Sequence, residues 1–176
     1  WQLSQAEIEG RKQLKNVFRC LTKYVPGMEK AHITSVANGI GVRETRRIEG
    51  EYILNKEDIL QGKKFEDGIA KNGYCIDIHD PKGNGWGVSF IQSEDQCYDI
   101  PYRCLVPKGI DGLLVAGRCI SATTEAQASI RIMPSCMAQG EAAGIAAAIA
   151  AEKTVAPRDI NTNSLRKKLE EKGAII

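Results

Sequence analysis

Hydrophobic positions early in the chain recur with a helical period: Leu14, Val17, Phe18 and Leu21 fall on one side of a 3.6-residue repeat. Ser4-Gln-Ala-Glu7 ahead of them has the form of a capping box, so the pattern predicts a helix from about Gln5 to Tyr24, stopped by Pro26-Gly27. AHITSVANGIGV (31–42) mixes β-branched residues with Asn and Gly, which predicts a strand running into a tight turn. RRIEGEYIL (46–54) reads as extended, and NKEDILQG (55–62) as a short capped helix. GYCIDIH (73–79) alternates Cys75, Asp77 and His79 with Tyr74, Ile76 and Ile78, the pattern of a half-buried strand, and ends in the turn cluster DPKGNGWG (80–87). Further strands are expected around YDIPYRCLVP (98–107). GLLVAG (112–117), a short apolar run between glycines, has the pattern of a fully buried strand. A helix built almost entirely of small residues is predicted from about Pro134 to Glu152, with Pro134 in its first turn. Asn161 or Asn163 then caps a last helix that carries Leu165 and Leu169 on one side and stops at Gly173. This order of elements is that of an α+β (mixed α/β) chain without internal repeats.

Composition narrows the function more by exclusion than by suggestion. With 176 residues, 43% hydrophobic and 26% charged, the chain has the make-up of a soluble globular protein with a real core. A net charge of +2 leaves no basic face for nucleic acid. The longest small-apolar run, Ala142 to Ala151, is short of the roughly 20 residues that span a bilayer. The first residues lack the basic and apolar regions of a signal peptide, and a start at Trp1 leads to the expectation that the chain is a piece of something longer. Cys20, Cys75, Cys97, Cys104, Cys119 and Cys136 form no CxxC pair and have no clustered histidine, which argues against zinc, an iron–sulfur cluster or any metal. They read as small buried hydrophobes of a reduced protein, disulfides being left open by the sequence; the compartment is not named by any motif, and a cytoplasmic one is favoured.

Four features carry candidate chemistry. Gly83, Gly85 and Gly87 tempt a dinucleotide reading, but Val88 stands at the third glycine of G-x-G-x-x-G and the residues that follow are β-formers, so a hairpin turn is expected. In GVRETRR, an extended backbone puts Arg43 and Arg47 on one face and Arg46 on the other; such arginines clamp a carboxylate or phosphate, unless Glu44, Glu49 and Glu51 neutralise them at the surface. His32 and His79 are the two histidines, and His79 sits with Asp77 and Asp80, so an imidazole acid or base is one of these two. Finally, Gly117 ends the apolar run where a ligand can approach the backbone, Ser121, Thr123, Thr124, Gln127 and Ser129 follow as an expected exposed, ligand-facing loop, and the Pro134 helix then points free N–H groups at an anion.

Five blocks in order give the chain a wider resemblance: SQAEIEGRKQ (4–13), GIGVRETRRIEGEYIL (39–54), FEDGIAKNGYCIDIHDP (65–81), IPYRCLVPKGIDGLLVAGRCISAT (100–123) and EAQASIRIMPSCMAQGEAAG (125–144). Together they resemble the FAD-dependent oxidoreductases related to the succinate dehydrogenase and fumarate reductase flavoproteins. The resemblance implies a substrate-side (cap) portion over 1–105, the C-terminal part of a Rossmann-like FAD-binding domain over 106–153 and a helical extension over 154–176. The N-terminal half that binds the ADP part of FAD through G-x-G-x-x-G is not in this sequence, so that half of the same protein becomes a partner, next to a small-molecule substrate.

By the same resemblance Gly117 lies near the ribityl chain and the stretch Ile132 to Cys136 near the flavin pyrimidine edge, where N–H groups and a helix dipole stabilise negative charge at N1 and the C2 carbonyl. The implied cofactor residues are Gly117, Arg118, Ser129, Arg131, Met133, Pro134, Ser135 and Cys136. The implied catalytic ones are Arg43, Arg46 and His79, with Arg103 and Arg131 as further lining residues. Two positions depart from the family. Arg118 stands where an acid commonly accepts from the ribityl hydroxyls, which a guanidinium cannot do, and Thr124 stands where histidine is common. The implied function is hydride transfer between a small polar or anionic substrate and FAD; a non-enzymatic binding module derived from the fold is the alternative. The chain alone is expected to bind little FAD and to self-associate through apolar surface at Gly112–Gly117 and the Pro134 helix.

Overall fold

A computed structural model describes residues 2–79 and 86–176, the side chains of His79 and Trp86 excepted. Of the turn cluster expected at DPKGNGWG (80–87), residues 80–85, with Gly83 and Gly85, lie outside the described residues, as does Trp1, while Trp86 and Gly87 belong to a strand. The chain divides into two compact units, Trp1–Val42 and Arg43–Ile176.

The first unit consists of helix α1 (Gln2–Tyr24) and an irregular tail. Ser4 lies inside α1, so no capping box forms at Ser4 and Glu7; Gln2 and Leu3 are adequate helix formers and the helix runs through them. Glu7 instead accepts from the backbone N–H of Ile40 at 2.6 Å. AHITSVANGIGV is not a strand. A β-ladder needs a neighbouring backbone, and among the described residues this segment has none. Leu14, Val17 and Leu21 share a stripe, yet α1 buries no residue.

In the second unit, two antiparallel ribbons carry the short strands. β1 (Gly68–Asn72) pairs with β4 (Tyr98–Pro101), and β2 (Ile76–His79) pairs with β3 (Trp86–Ser89) from Ile76 opposite Ser89 to His79 opposite Trp86. Helices α2 (Lys56–Leu60), α3 (Thr124–Ile130), α4 (Met133–Lys153) and α5 (Thr162–Glu171) surround them, with α3 against β2 and α4 against β1 and α5. The predicted capped helix at NKEDILQG is α2: Asn55 accepts from Asp58 N at 3.0 Å and Asp58 accepts from Asn55 N at 3.2 Å, a reciprocal box. Of the two asparagines, Asn161 caps α5, accepting from Ser164 N at 3.1 Å, and Gly173 ends it with φ of +87°.

The segment RRIEGEYIL is extended and threads between two later stretches. Ile48 N donates to Cys119 O at 3.0 Å, Glu51 N to Val106 O at 3.0 Å and Leu54 N to Ser121 O at 3.2 Å. Gly50 is required at the crossing, since a Cβ there would meet Ser121 Cβ at 2.8 Å and Arg103 O at 3.0 Å. The core around this thread is Leu54, Ile59, Ile69, Tyr98, Ile100, Leu105, Ile120, Ile130, Ile149 and Leu165.

Three further expectations are corrected. GLLVAG is not a buried strand: Val115 N donates to Leu105 O at 2.9 Å, no ladder forms beyond that bond, and Leu113 is 45% exposed. Ser121, Gln127 and Ser129 are not exposed on a loop but fully buried, because Thr123 caps α3 and the small side chains of Ala126 and Ala128 let the helix pack tightly. The cysteines are free thiols; Cys104 is buried, Cys20 is exposed and the other four are half-buried, since they fall in connections and at element ends rather than in the core.

Gly62, at φ of +62°, turns the chain after α2 so tightly that a Cβ would sit 2.4 Å from Ser93 Cβ. Gly62→Ala is therefore expected to lower unfolding free energy by about 1–3 kcal/mol, read from a shifted urea midpoint at unchanged slope.

Candidate functional site

The Pro134 helix forms as expected, as α4, with Pro134 in its first turn. Its N-cap is Ile132, an apolar residue that makes no side-chain capping bond, so the opening turn leaves its N–H groups to whatever faces it. Facing it is a cavity of about 440 Å³ lined by Arg43, Tyr74, Asp77, Arg118, Ala128, Arg131, Ile132, Met133 and Pro134.

Each arginine reaches that cavity by a different route. Arg43 is held through its backbone, whose carbonyl accepts from the buried Gln127 Nε2 at 3.0 Å. Arg131 is the C-cap of α3, and its guanidinium donates to Asp77 O on β2 at 3.0 Å. Arg118 follows Gly117, which has φ of +88° and whose N–H donates to Gln139 Oε1 of α4 at 2.9 Å. Burial, and then the charges of Arg43 and Arg118, lower the Arg131 pKa, the mark of positive charge concentrated in one place. Asp77 is the one acid among the described lining residues.

The predicted residues divide on this geometry. Arg43, Arg118, Arg131, Met133 and Pro134 share the cavity. Arg46 is exposed and not among its lining residues, while Arg47, half-buried, pairs with Glu44 and donates to Thr124 Oγ1 at 3.1 Å. Arg103 is elsewhere, in a bidentate pair with Asp67 at 2.9 and 3.1 Å and over the Tyr52 ring. His79 belongs to β2, with its side chain outside the described residues, and His32 is exposed in the first unit. Cys136 sits in the first turn of α4, its thiol donating to Arg131 O at 3.5 Å and its pKa raised by burial. Ser135 is buried and lines a neighbouring cavity of about 500 Å³ with Asn72 and Ala138, which shares Tyr74, Ile132 and Pro134 as a common wall.

Ser129 lies beneath that wall. Asn72 Nδ2 donates to Tyr98 Oη at 2.7 Å, Tyr98 Oη and Ser129 Oγ are 2.6 Å apart, and Ser129 Oγ donates to Tyr74 O at 2.6 Å. Because the single Ser129 proton is given to Tyr74 O, the Tyr98 hydroxyl is the donor to Ser129. Burial holds the Tyr98 phenol well above its usual range, so the chain of bonds stays protonated. Tyr74, Gln127 and Gln139 are positioning groups that their polarity in the sequence does not reveal.

A family model described as FAD dependent oxidoreductase matches residues 1–169. The chain belongs to the FAD dependent oxidoreductase family. No curated protein and no solved structure matches it. The site suits the cofactor of that family on chemical grounds: an uncapped helix N-terminus and three guanidinium groups complement an electron-rich ring edge, and, its own chain neighbours aside, no heavy atom lies within 4 Å of where a Cβ on Gly117 would stand. Among the described residues, no group of three or more His, Cys, Asp and Glu is placed to hold a metal ion. No described helix is long and apolar enough to cross a membrane.

Proposed function

We propose that the intact protein is a flavin-dependent oxidoreductase acting on a small polar or anionic substrate, related to the succinate dehydrogenase and fumarate reductase flavoproteins. When bound, FAD supplies the hydride chemistry. The observation that carries this reading is the convergence of Arg43, Arg118 and Arg131 on the uncapped start of α4. Residues 1–105 act as the substrate-side portion and 106–153 as the C-terminal part of the FAD domain, with 154–176 as a helical extension.

The residues take distinct roles. The first turn of α4, with Met133, Pro134, Ser135 and Cys136, presents N–H groups to the pyrimidine edge, and Arg131 adds positive charge there. Gly117 gives the ribityl chain close access to the backbone, Arg118 donates to its hydroxyls or to the pyrophosphate, and Ser129 steadies Tyr74 from below. Arg43 binds an anionic or polar group of the substrate, and His79 or an arginine handles a proton.

The test is to express this chain together with a flavin-binding half that carries the G-x-G-x-x-G fingerprint. A yellow protein with bound FAD is expected; a colourless one that cannot be reconstituted overturns the reading. For the 176 residues alone, flavin fluorescence quenching is expected to show no micromolar affinity, because they contain no G-x-G-x-x-G fingerprint to hold the ADP part. Light scattering of the chain alone is expected to show self-association, since Met133 and Met137 are 75% and 73% exposed on α4; a clean monomer contradicts it.

A further inference from the structure

Away from that cavity, four polar side chains meet where the turn after α2 faces the loop ahead of β4. Lys64 Nζ lies 3.1 Å from Cys97 Sγ and donates to Cys97 O at 2.8 Å. The same ammonium pairs with Asp95 Oδ2 at 2.7 Å. The Cys97 thiol donates to Asp95 Oδ2 at 3.2 Å, and Ser93 Oγ donates to Asp95 Oδ1 at 2.9 Å. Amine, thiol and carboxylate are thus in mutual contact, a triangle rather than an isolated sulfur.

The two loops are pinned so that this contact persists. Asp99 N donates to Lys63 O at 2.9 Å and Gln92 N to Leu60 O at 2.8 Å on either side of it. Gly62 approaches Ser93 more closely than any side chain would permit. Cys97 is half-buried, open to a small oxidant, whereas burial takes Cys104 to zero exposure and pushes its thiol pKa up to about 12.

We propose that Cys97 and Lys64 form an oxidative modification site, in which a hydroperoxide oxidises the thiol and the lysine amine closes onto the sulfur as an S–N cross-link. In the first step the sulfur attacks one oxygen of hydrogen peroxide as the thiol proton leaves for the departing oxygen. The O–O bond breaks, Cys97 becomes a sulfenic acid, and the departing hydroxide takes that proton and leaves as water. In the second step Lys64 gives a proton to solvent and its freed lone pair attacks the sulfur. The S–O bond breaks and the hydroxyl leaves as water with a proton from the nitrogen. Sulfur is oxidised and the peroxide is reduced. The product ties residue 64 to residue 97 and closes a loop around β1, β2 and β3, which constrains the unfolded chain as a disulfide would.

The experiment exposes the full chain to excess hydrogen peroxide, digests it and maps the products by mass spectrometry. The expected product joins the Lys64 and Cys97 peptides, is two hydrogens lighter than their sum and is released by a thiol reductant. In Lys64→Arg the cross-link is lost and Cys97 accumulates as sulfinic acid, while Cys97→Ser yields neither. Lys64 is on the surface, and unchanged circular dichroism of Lys64→Arg confirms that the loss is chemical. Cys97 oxidised beside an unmodified Lys64 in the parent chain overturns the proposal, as does a cross-link that retains an oxygen between nitrogen and sulfur.

Discussion

With FAD bound as proposed, Arg131→Ala is expected to lower the reduction potential of the flavin by about 30–60 mV. A hydrogen bond to a charged group contributes about 1.5–3 kcal/mol, and for a two-electron couple 1.4 kcal/mol corresponds to roughly 30 mV. The sign follows from charge. The guanidinium favours the form that carries negative charge at the pyrimidine edge, so its removal favours the oxidised form. Because Arg131 is half-buried and shares the cavity with Arg43 and Arg118, water and these two neighbours make up part of the loss, which puts the expectation at the lower end. Arg131→Lys retains the charge but not the planar fork that reaches Asp77 O, so an intermediate shift is expected. Spectroelectrochemical titration of the three proteins decides it, and an unchanged potential in Arg131→Ala removes Arg131 from the flavin.

The other large effect is on stability. Tyr98→Ala is expected to cost about 3–5 kcal/mol, the usual loss for a buried aromatic side chain, out of a total that for domains of this size is about 5–15 kcal/mol. Tyr98 is fully buried in the core, and its hydroxyl links Asn72 to Ser129. Tyr98→Phe keeps the ring and leaves the Asn72 amide only its longer bond to Ser129 O at 3.4 Å, at a cost of about 1–3 kcal/mol. Urea denaturation separates the two variants. If Tyr98→Phe matches the parent, the chain of bonds from Asn72 to Tyr74 contributes nothing to the fold.

Most local signals proved legible where the structure they specify is also local; the capping box read at Ser4 and Glu7 is the exception, because α1 begins two residues earlier. Asn55 with Asp58, Asn161 with Ser164, Pro134 at the start of α4 and Gly173 at the end of α5 act within a turn of themselves, and all four are where the pattern puts them. AHITSVANGIGV and GLLVAG have the right residues for strands, but a strand is made by its neighbour, and the chain alone does not show whether one is there. Ser121, Gln127 and Ser129 mislead for the opposite reason. Their polarity suggests solvent, whereas Gln127 and Ser129 find partners in Arg43 O, Tyr98 and Tyr74 O, on segments far away in sequence. The site itself divides the same way. The start of α4 is visible as a helix beginning, but nothing near Arg131 announces that Arg43 and Arg118 will join it while Arg46 and Arg103 will not.

The crossing at Gly50 also bears on how the molecule is made. The segment that carries Arg43 pairs with Val106, Cys119 and Ser121 and is gripped by Gln127, none of which has been synthesised when the segment leaves the ribosome. Such distant pairings delay assembly, because the chain entropy of closing the loop is spent before any contact returns it. The arginine therefore emerges early and waits, and the cavity it lines is completed only when the nascent chain has passed the first turn of α4.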